Sequence, residues 1–134
     1  MTEKEKVVEM TKNGLSRIFR TIVLILYPDY KIIVMAELHN NYVYIMSNKY
    51  KNVIYVGVTS NLNQRVMQHE SGHYDGFTKK YNCHYLVYFE QFTDIKLAIE
   101  REKEIKGWRR EKKNRLIKSF NPEWKFLNED VRFL

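Results

Sequence analysis

The sequence predicts an α/β (α+β) domain, a small three-stranded antiparallel sheet flanked by helices. Three short runs, Tyr42–Met46, Val53–Val58 and Tyr85–Phe89, are rich in the Val, Ile, Tyr and Phe that suit strands. The polar, turn-prone segment Ser47–Asn52 separates the first two, which is typical of a hairpin. Segments with apolar residues at helical spacing follow the second and third runs. At 134 residues the chain is long enough for one such domain with an appendage.

The chain divides into three regions. Residues 41–122 contain all the predicted strands and three predicted helices, and we expect them to form the domain. Residues 123–134 follow a helix stop at Asn121-Pro122 and are predicted to be a C-terminal tail laid against the domain by Trp124, Phe126, Leu127 and Phe133. Residues 1–40 are predicted to be an N-terminal extension that is poorly packed or accessory.

Three interpretations of the N-terminal extension remain open. It is an amphipathic helix followed by a strand-like segment, a weak targeting segment, or upstream sequence before a natural start at Met35. Its early acidic residues, Glu3, Glu5 and Glu9, argue against a secretory or mitochondrial signal. We favour the third interpretation, in which residues 1–34 have no role in the domain.

Composition favours a polyanionic partner. The formal net charge is +7, and ten tyrosines are present. Basic side chains attract phosphates and exposed rings stack on bases, so the balance suits nucleic acid, although solubility alone explains charge equally well. Cys83 is the single cysteine, which excludes an internal disulfide and fits a reducing cytoplasm. No stretch reaches the roughly 18 apolar residues of a membrane span.

The predicted hairpin and the helix after it bring polar groups together. Alternate residues of a strand share a face, so Tyr44 and Tyr55 are expected side by side on one face of the sheet. Gly57 follows two residues later, where a missing side chain lets a backbone or ligand come close. In the next helix, Arg65 and His69 are four residues apart and lie on one face. Each has an ordinary structural alternative, a core ring or a helix-surface charge.

The second predicted helix, capped by Thr93 or Asp94 and ending near Gly107, carries a misplaced carboxylate. Its apolar face includes Glu102, together with Ile95, Ala98, Ile99 and Ile105. An unpaired carboxylate is costly to bury, so Glu102 needs a cation or hydrogen-bond donors. The alternative is that it reaches water or pairs with an internal Arg.

These residues resemble the GIY-YIG nuclease family. The first signature tripeptide corresponds to Tyr42–Tyr44, with Tyr in place of the leading Gly, and the second to Tyr55–Gly57. Arg65 and His69 lie where the family carries an arginine and a His or Tyr. The resemblance is to small stand-alone members, related to the N-terminal nuclease domain of the excision-repair nuclease, and extends over about residues 42–122. It also identifies Glu102 as the metal-binding glutamate.

The resemblance implies a metal-dependent endonuclease that hydrolyses phosphodiester bonds in DNA, with DNA repair among the pathways in which relatives act. Hydrolysis needs a nucleophilic water and relief of phosphate charge. With one carboxylate, we expect Glu102 to bind a single Mg²⁺ or Mn²⁺. Arg65 would bind the scissile phosphate and His69 would relay or donate a proton. Tyr55 is the candidate general base and Tyr44 would position the water. The phenols are exchangeable in these roles, since Val58 stands where some relatives carry a Lys.

A second set of residues is predicted to contact the nucleic-acid backbone. Phe77 and Tyr81 bracket two lysines, and the third predicted helix, Arg109–Lys118, has a basic face. A solvated surface is the alternative for both. The resemblance adds an asparagine near the site. The predicted set is Gly57, Lys79, Lys80, Arg109, Arg110, Lys112, Lys113 and Asn114.

Two other functions compete with the nuclease. The first is a non-catalytic nucleic-acid-binding module on the same fold, and the second is a protein-interaction domain that uses the Tyr and Trp surface. Binding alone requires no buried carboxylate, so Glu102 favours the nuclease. A domain this small is expected to borrow specificity from a protein partner or to have little.

Overall fold

The computed structural model describes residues 40–73 and 75–134, and the predictions for residues 1–39 lie outside this range. The three strands are β1 (Asn41–Ser47), β2 (Ile54–Thr59) and β3 (Tyr85–Phe92). They form one antiparallel sheet in the order β2-β1-β3, which confirms the predicted fold class. The third strand continues to Phe92, three residues beyond its predicted end.

Within residues 40–73 and 75–134, four helices and a 3₁₀ turn accompany the sheet. They are α1 (Leu62–Glu70), α2 (Phe77–Lys80), α3 (Ile95–Gly107), α4 (Arg110–Phe120) and the turn Glu129–Val131. Hydrogen bonds fix the starts of two helices, and the second confirms one of the two predicted caps of that helix. Asn61 caps α1, because its side-chain oxygen accepts from the backbone N–H of Gln64, and Asp94 caps α3 by accepting from Lys96.

Alternation along β1 divides the core into two parts. Tyr42, Tyr44 and Met46 point to one face, which we call the site face, and Val43 and Ile45 point to the other, the far face. The site face packs on buried side chains from α1, from β3 and the loop before it, and from the C-terminal segment: Leu62, Val66, Cys83, Leu86 and Val131. The far face packs on β2, β3, α3 and α4 through Val56, Val87, Tyr88, Ala98, Ile105 and Ile117.

Helix faces differ from the predicted stripes at their edges. The buried line of α1 is Leu62, Val66 and His69, whereas the apolar Met67, next to Val66 in the sequence, is 52% exposed. The sheet is narrow and covers one line of α3 as well, so Ile95 and Ile99 are exposed. These two side chains line an open groove of about 690 Å³ with Val58.

The C-terminal segment is held by hydrogen bonds to the domain. The side chain of Asn128 accepts from the backbone N–H of Leu86 at 2.7 Å and donates to the His84 carbonyl at 2.9 Å. The backbone N–H of Leu127 donates to the Leu86 carbonyl at 2.8 Å. Phe133 is an exception to the predicted packing, because it is 93% exposed and lies near the chain end.

Candidate active site

Tyr44 occupies the space above Gly57. The two residues are directly paired across β1 and β2, and a Cβ added to Gly57 would lie 2.5 Å from the Tyr44 hydroxyl oxygen and Cζ. Any side chain at this position would therefore displace the phenol. The predicted role of Gly57 was close approach of a backbone or ligand, and the group that approaches is the Tyr44 ring.

A buried hydrogen bond joins Tyr44 to α1. The Tyr44 hydroxyl lies 3.0 Å from His69 Nε2, and Tyr44 is only 2% exposed. Burial, then the charge of Arg65, then that of His84 lower the pKa of His69 from 6.5 to about 4. The imidazole is therefore neutral at neutral pH. We assign Nε2 as the acceptor and the tyrosine hydroxyl as the donor.

Tyr55 completes a group of three rings on the site face. Its ring centroid is 6.3 Å from that of Tyr44 and 5.6 Å from that of His69. It lies opposite Met46 rather than Tyr44, so the two phenols are diagonal neighbours. Tyr55 is half-buried, whereas Tyr44 is fully covered. Arg65 is one turn before His69 on α1, close enough to influence its pKa.

His84 is a member of this neighbourhood that sequence reasoning missed. Its Nδ1 donates to the backbone carbonyl of His69 at 2.5 Å. The carbonyl of His84 in turn accepts from Asn128. The end of α1 that carries His69 is thus tied to the start of β3 and the C-terminal segment. No spacing in the sequence relates residues 69, 84 and 128.

Glu102 is buried on a helix that covers the far face. Ala98 and Ile105, on the same side of α3, pack beneath Val43 and Ile45. Burial of a carboxylate among these apolar residues was predicted, and its cation is Lys106, one turn along the helix. An i, i+4 spacing of opposite charges signals this pair in the sequence.

The contacts of the site face therefore join Tyr44, Tyr55 and His69, with Arg65 beside them. Glu102 is not part of this group, because it lies on α3, which packs on the far face of the sheet. Within the part of the chain that the structure describes, no group of three or more His, Cys, Asp or Glu side chains could hold a metal ion. A cation at Glu102 would keep most of its ligands as water, as Mg²⁺ does.

The residues predicted to contact the nucleic-acid backbone fall into two groups. Arg110 donates to the carbonyls of Lys51 and Asn52, at 2.9 and 3.0 Å, and to Asn114 Oδ1 at 2.9 Å. Arg110 and Asn114 thereby hold the hairpin turn against α4. Lys113 donates to the Lys106 carbonyl at 3.1 Å.

The remaining predicted cations are on the surface. Lys79, Lys80, Arg109 and Lys112 are exposed. Lys112 Nζ lies 3.9 Å from the centroid of the Trp108 ring. No helix of residues 40–73 or 75–134 is both long and apolar enough to cross a membrane.

Comparison with known proteins gives consistent matches. Residues 40–115 match the GIY-YIG catalytic domain. A UPF0213 protein of Bacillus pumilus is 31% identical over 98 residues, covering 73% of this chain and 99% of that protein. A UPF0213 protein of Natronomonas pharaonis is 36% identical over 78 residues, covering 58% and 91%. The solution NMR structure of a UPF0213 protein from Bacillus halodurans is 29% identical, with a TM-score of 0.43, and covers 63% of this chain and 89% of that one.

Proposed function

Because the chain belongs to the GIY-YIG catalytic domain family, we propose that it is an endonuclease that hydrolyses phosphodiester bonds in DNA with one divalent cation, Mg²⁺ or Mn²⁺. The observation that carries the proposal is the buried hydrogen bond between Tyr44 and a neutral His69, beside the half-buried Tyr55. The geometry lets His69 Nε2 accept the hydroxyl proton of Tyr44 next to a second phenol, which is the arrangement a proton relay needs.

Tyr44 and His69 act together on the attacking water. A neutral imidazole accepts the hydroxyl proton of Tyr44, so the phenolic oxygen can take a proton from water while passing its own to Nε2. This arrangement favours Tyr44 over Tyr55 as the base, since no phenol has to be ionised beforehand. Tyr55 then orients the water or a phosphate oxygen. Because the pKa of His69 is about 4, donation of an imidazolium proton is the less favoured role.

Arg65 and Glu102 handle the charge of the phosphate. Arg65, on the same helix as His69, binds the scissile phosphate through its guanidinium. Glu102 holds the cation, which supplies electrophilic stabilisation of the phosphoryl oxygens when bound. Lys106 competes with the cation for this carboxylate and would have to give way to it.

The exposed cations bind the phosphate backbone of the DNA. Lys79 and Lys80 lie on α2 and Arg109 and Lys112 at the start of α4, and each adds a phosphate contact that carries no sequence information. Gly57, Arg110, Lys113 and Asn114 contribute by fixing the surface rather than by touching the nucleic acid. Sequence preference is then either low or supplied by a protein partner.

A non-catalytic nucleic-acid-binding module is the second candidate. The observation that favours it is the ion pair of Glu102 with Lys106, which satisfies the buried carboxylate without a metal. In this case the basic surface binds DNA, and the three rings are core side chains.

Nicking of supercoiled plasmid separates the two functions. We expect the wild type to nick in Mg²⁺ or Mn²⁺ and Glu102→Ala to lose activity about a hundredfold or more, since a bound metal contributes several kcal/mol of charge stabilisation. Glu100→Ala is the matched control, an exposed carboxylate on the same helix. Lys106→Met removes the competing ammonium and should lower the Mn²⁺ concentration needed, which electron paramagnetic resonance also measures directly. Activity equal in wild type and Glu102→Ala, or cleavage of no duplex, branched or single-stranded substrate, would remove the nuclease proposal.

A further inference from the structure

A row of aromatic rings leads from the candidate site to the surface. The centroid of Tyr55 is 6.3 Å from that of Tyr44 and 6.4 Å from that of Phe77, and Phe77 is 4.6 Å from Tyr81. Tyr44 is buried and Tyr55 is half-buried, whereas Phe77 and Tyr81 are 49% and 39% exposed. The exposed end is therefore one ring contact away from the proposed catalytic tyrosines.

A buried threonine and backbone hydrogen bonds fix the turn that carries the two exposed rings. Thr78, between them, is buried, and its carbonyl accepts from the backbone N–H of Cys83 at 2.8 Å. The backbone N–H of Tyr81 donates to the Phe77 carbonyl at 3.0 Å. The anchored turn holds both rings at the surface, partly exposed, with the Phe77 ring against those of Tyr55 and Tyr81. Exposed apolar side chains that are grouped in this way form a candidate interaction surface.

Positive charge accompanies the rings. Lys80 Nζ lies 5.4 Å from the centroid of Tyr81, and Lys79 is on the same helical turn, paired with Asp75 at 2.6 Å. Both lysines are exposed. Exposed rings beside cations form the surface that binds single-stranded nucleic acid, in which cations follow the backbone and rings stack on bases. An apolar protein partner would gain nothing from the lysines.

We infer that Phe77 and Tyr81 form a stacking platform for unpaired bases, and that the substrate of the proposed nuclease is DNA with a single-stranded segment at the site. Bases in a duplex are stacked on one another and cannot offer a face to a ring. An unpaired base next to the phosphate bound at Tyr55 and Arg65 can stack on the Phe77 or Tyr81 ring. The substrate class rests on the proposed function, whereas the stacking itself does not.

Binding is measured on the full-length protein in EDTA, so that cleavage plays no part. The probe is a fluorescein-labelled oligo-dT of about 12 nucleotides, within the range of single-strand site sizes, and the comparison probe is a blunt hairpin duplex. We expect Phe77→Leu and Tyr81→Leu each to weaken binding of oligo-dT about tenfold, within the range measured for base–aromatic stacking, and to change duplex affinity less than twofold. The matched control is Phe126→Leu, because Phe126 is also exposed, stacks on Tyr85 at 4.2 Å and has Lys51 Nζ 5.2 Å from its centroid.

Two further measurements identify the contact as base stacking. An oligomer with abasic sites keeps the backbone charge but offers no base, so it should bind wild type and Phe77→Leu equally. Raising the salt concentration should weaken binding of wild type and Phe77→Leu with the same slope, whereas Lys80→Met should reduce that slope by about one phosphate contact.

The outcomes are separable from those of the nuclease test. Phe77-dependent binding of oligo-dT without any metal-dependent cleavage would support the platform and count against the enzyme. Equal oligo-dT affinities for Phe77→Leu, Tyr81→Leu and wild type would overturn the platform and assign the exposed rings to a protein contact. An equal loss of duplex affinity would overturn it as well, since paired bases cannot stack there.

Discussion

Two buried tyrosines on adjacent strands differ in the group that accepts the hydrogen bond from their hydroxyl. Tyr44 is on β1 and points to the site face, where its hydroxyl lies 3.0 Å from the neutral His69. Tyr88 is on β3, opposite Ile45, and its hydroxyl donates to Glu90 Oε2 at 2.6 Å on the far face. Arg101 donates to the same carboxylate at 2.8 Å. Both phenols are covered and hydrogen-bonded, so burial alone does not separate them.

The partner decides what each phenol can do. Burial first and the Glu90 hydrogen bond second raise the pKa of Tyr88 well above its usual value, because a phenolate would face a carboxylate. Tyr88 therefore keeps its proton and serves to hold β3 and α3 together through Arg101. The imidazole beside Tyr44 is neutral, and its Nε2 can accept the phenolic proton. The tyrosine proposed as reactive and the structural one therefore differ in their neighbours and not in their exposure.

The largest effect is expected from filling the space that Tyr44 uses. Gly57→Ala places a Cβ 2.5 Å from the Tyr44 hydroxyl oxygen, so the phenol must move and its bond to His69 breaks. We expect nicking activity to fall about a hundredfold or more and unfolding free energy to fall by roughly 1–3 kcal/mol. Plasmid nicking and urea denaturation measure the two.

Gly107→Ala is the control for this substitution. Nothing lies within 4 Å of a Cβ added there, at the end of α3, so we expect wild-type activity and stability. Full activity in Gly57→Ala would mean that the position of Tyr44 is irrelevant to catalysis.

Tyr44→Phe is expected to have the next largest effect on activity. Removing one hydroxyl leaves the ring packing intact but takes away the proposed base, so we expect a loss of about 10²–10⁴-fold in the cleavage rate. Stability should fall by only about 1–2 kcal/mol for the lost buried hydrogen bond. Single-turnover cleavage and denaturant melts are the measurements. Retention of more than a tenth of the activity would return the base role to Tyr55.

Much of the site face could be predicted from the sequence because its signals are local. Alternation placed Tyr44 and Tyr55 on one face, spacing by four placed Arg65 beside His69, and the GIY-YIG family membership is confirmed by the match over residues 40–115. The three-stranded antiparallel sheet followed from the same strand patterns. The roles assigned to these residues stay predictions.

The contacts that sequence could not supply join distant segments. His84, Asn128 and Arg110 each bond to backbone carbonyls far along the chain, at His69, at His84 and at the hairpin turn. A carbonyl has no identity in the sequence, so no residue pattern marks its partner. For the same reason the sequence predicts contacts with the nucleic-acid backbone for Arg110 and Asn114 and does not reveal their hydrogen bonds within the protein.

A smaller effect is expected from the titration of His69. The pKa of about 4 lies below the 6.5 of an unfolded chain, so the unfolded state binds the additional proton between these values. Stability should therefore be intact above pH 6.5 and decline as pH falls to 4, by on the order of 2 kcal/mol. His69→Gln should lack this portion of the decline. Nuclear magnetic resonance titration of the imidazole checks the value, and an ordinary pKa near 6.5 would contradict the lowered pKa and the pH dependence of stability that follows from it.

The smallest effect is expected from Tyr88→Phe, and it tests the comparison most directly. The substitution removes one hydroxyl from a buried, hydrogen-bonded ring, as Tyr44→Phe does, and should lower stability by a similar amount of about 1 kcal/mol. Glu90 retains Arg101, so no carboxylate is left without a partner and the loss stays small. Cleavage should remain within twofold of wild type, because the far-face phenol takes no part in the proposed proton transfer. Equal stability losses with activities that differ a hundredfold would show that the imidazole, rather than burial, makes Tyr44 the reactive group. Equal activity losses would show instead that both variants act through the packing of the sheet.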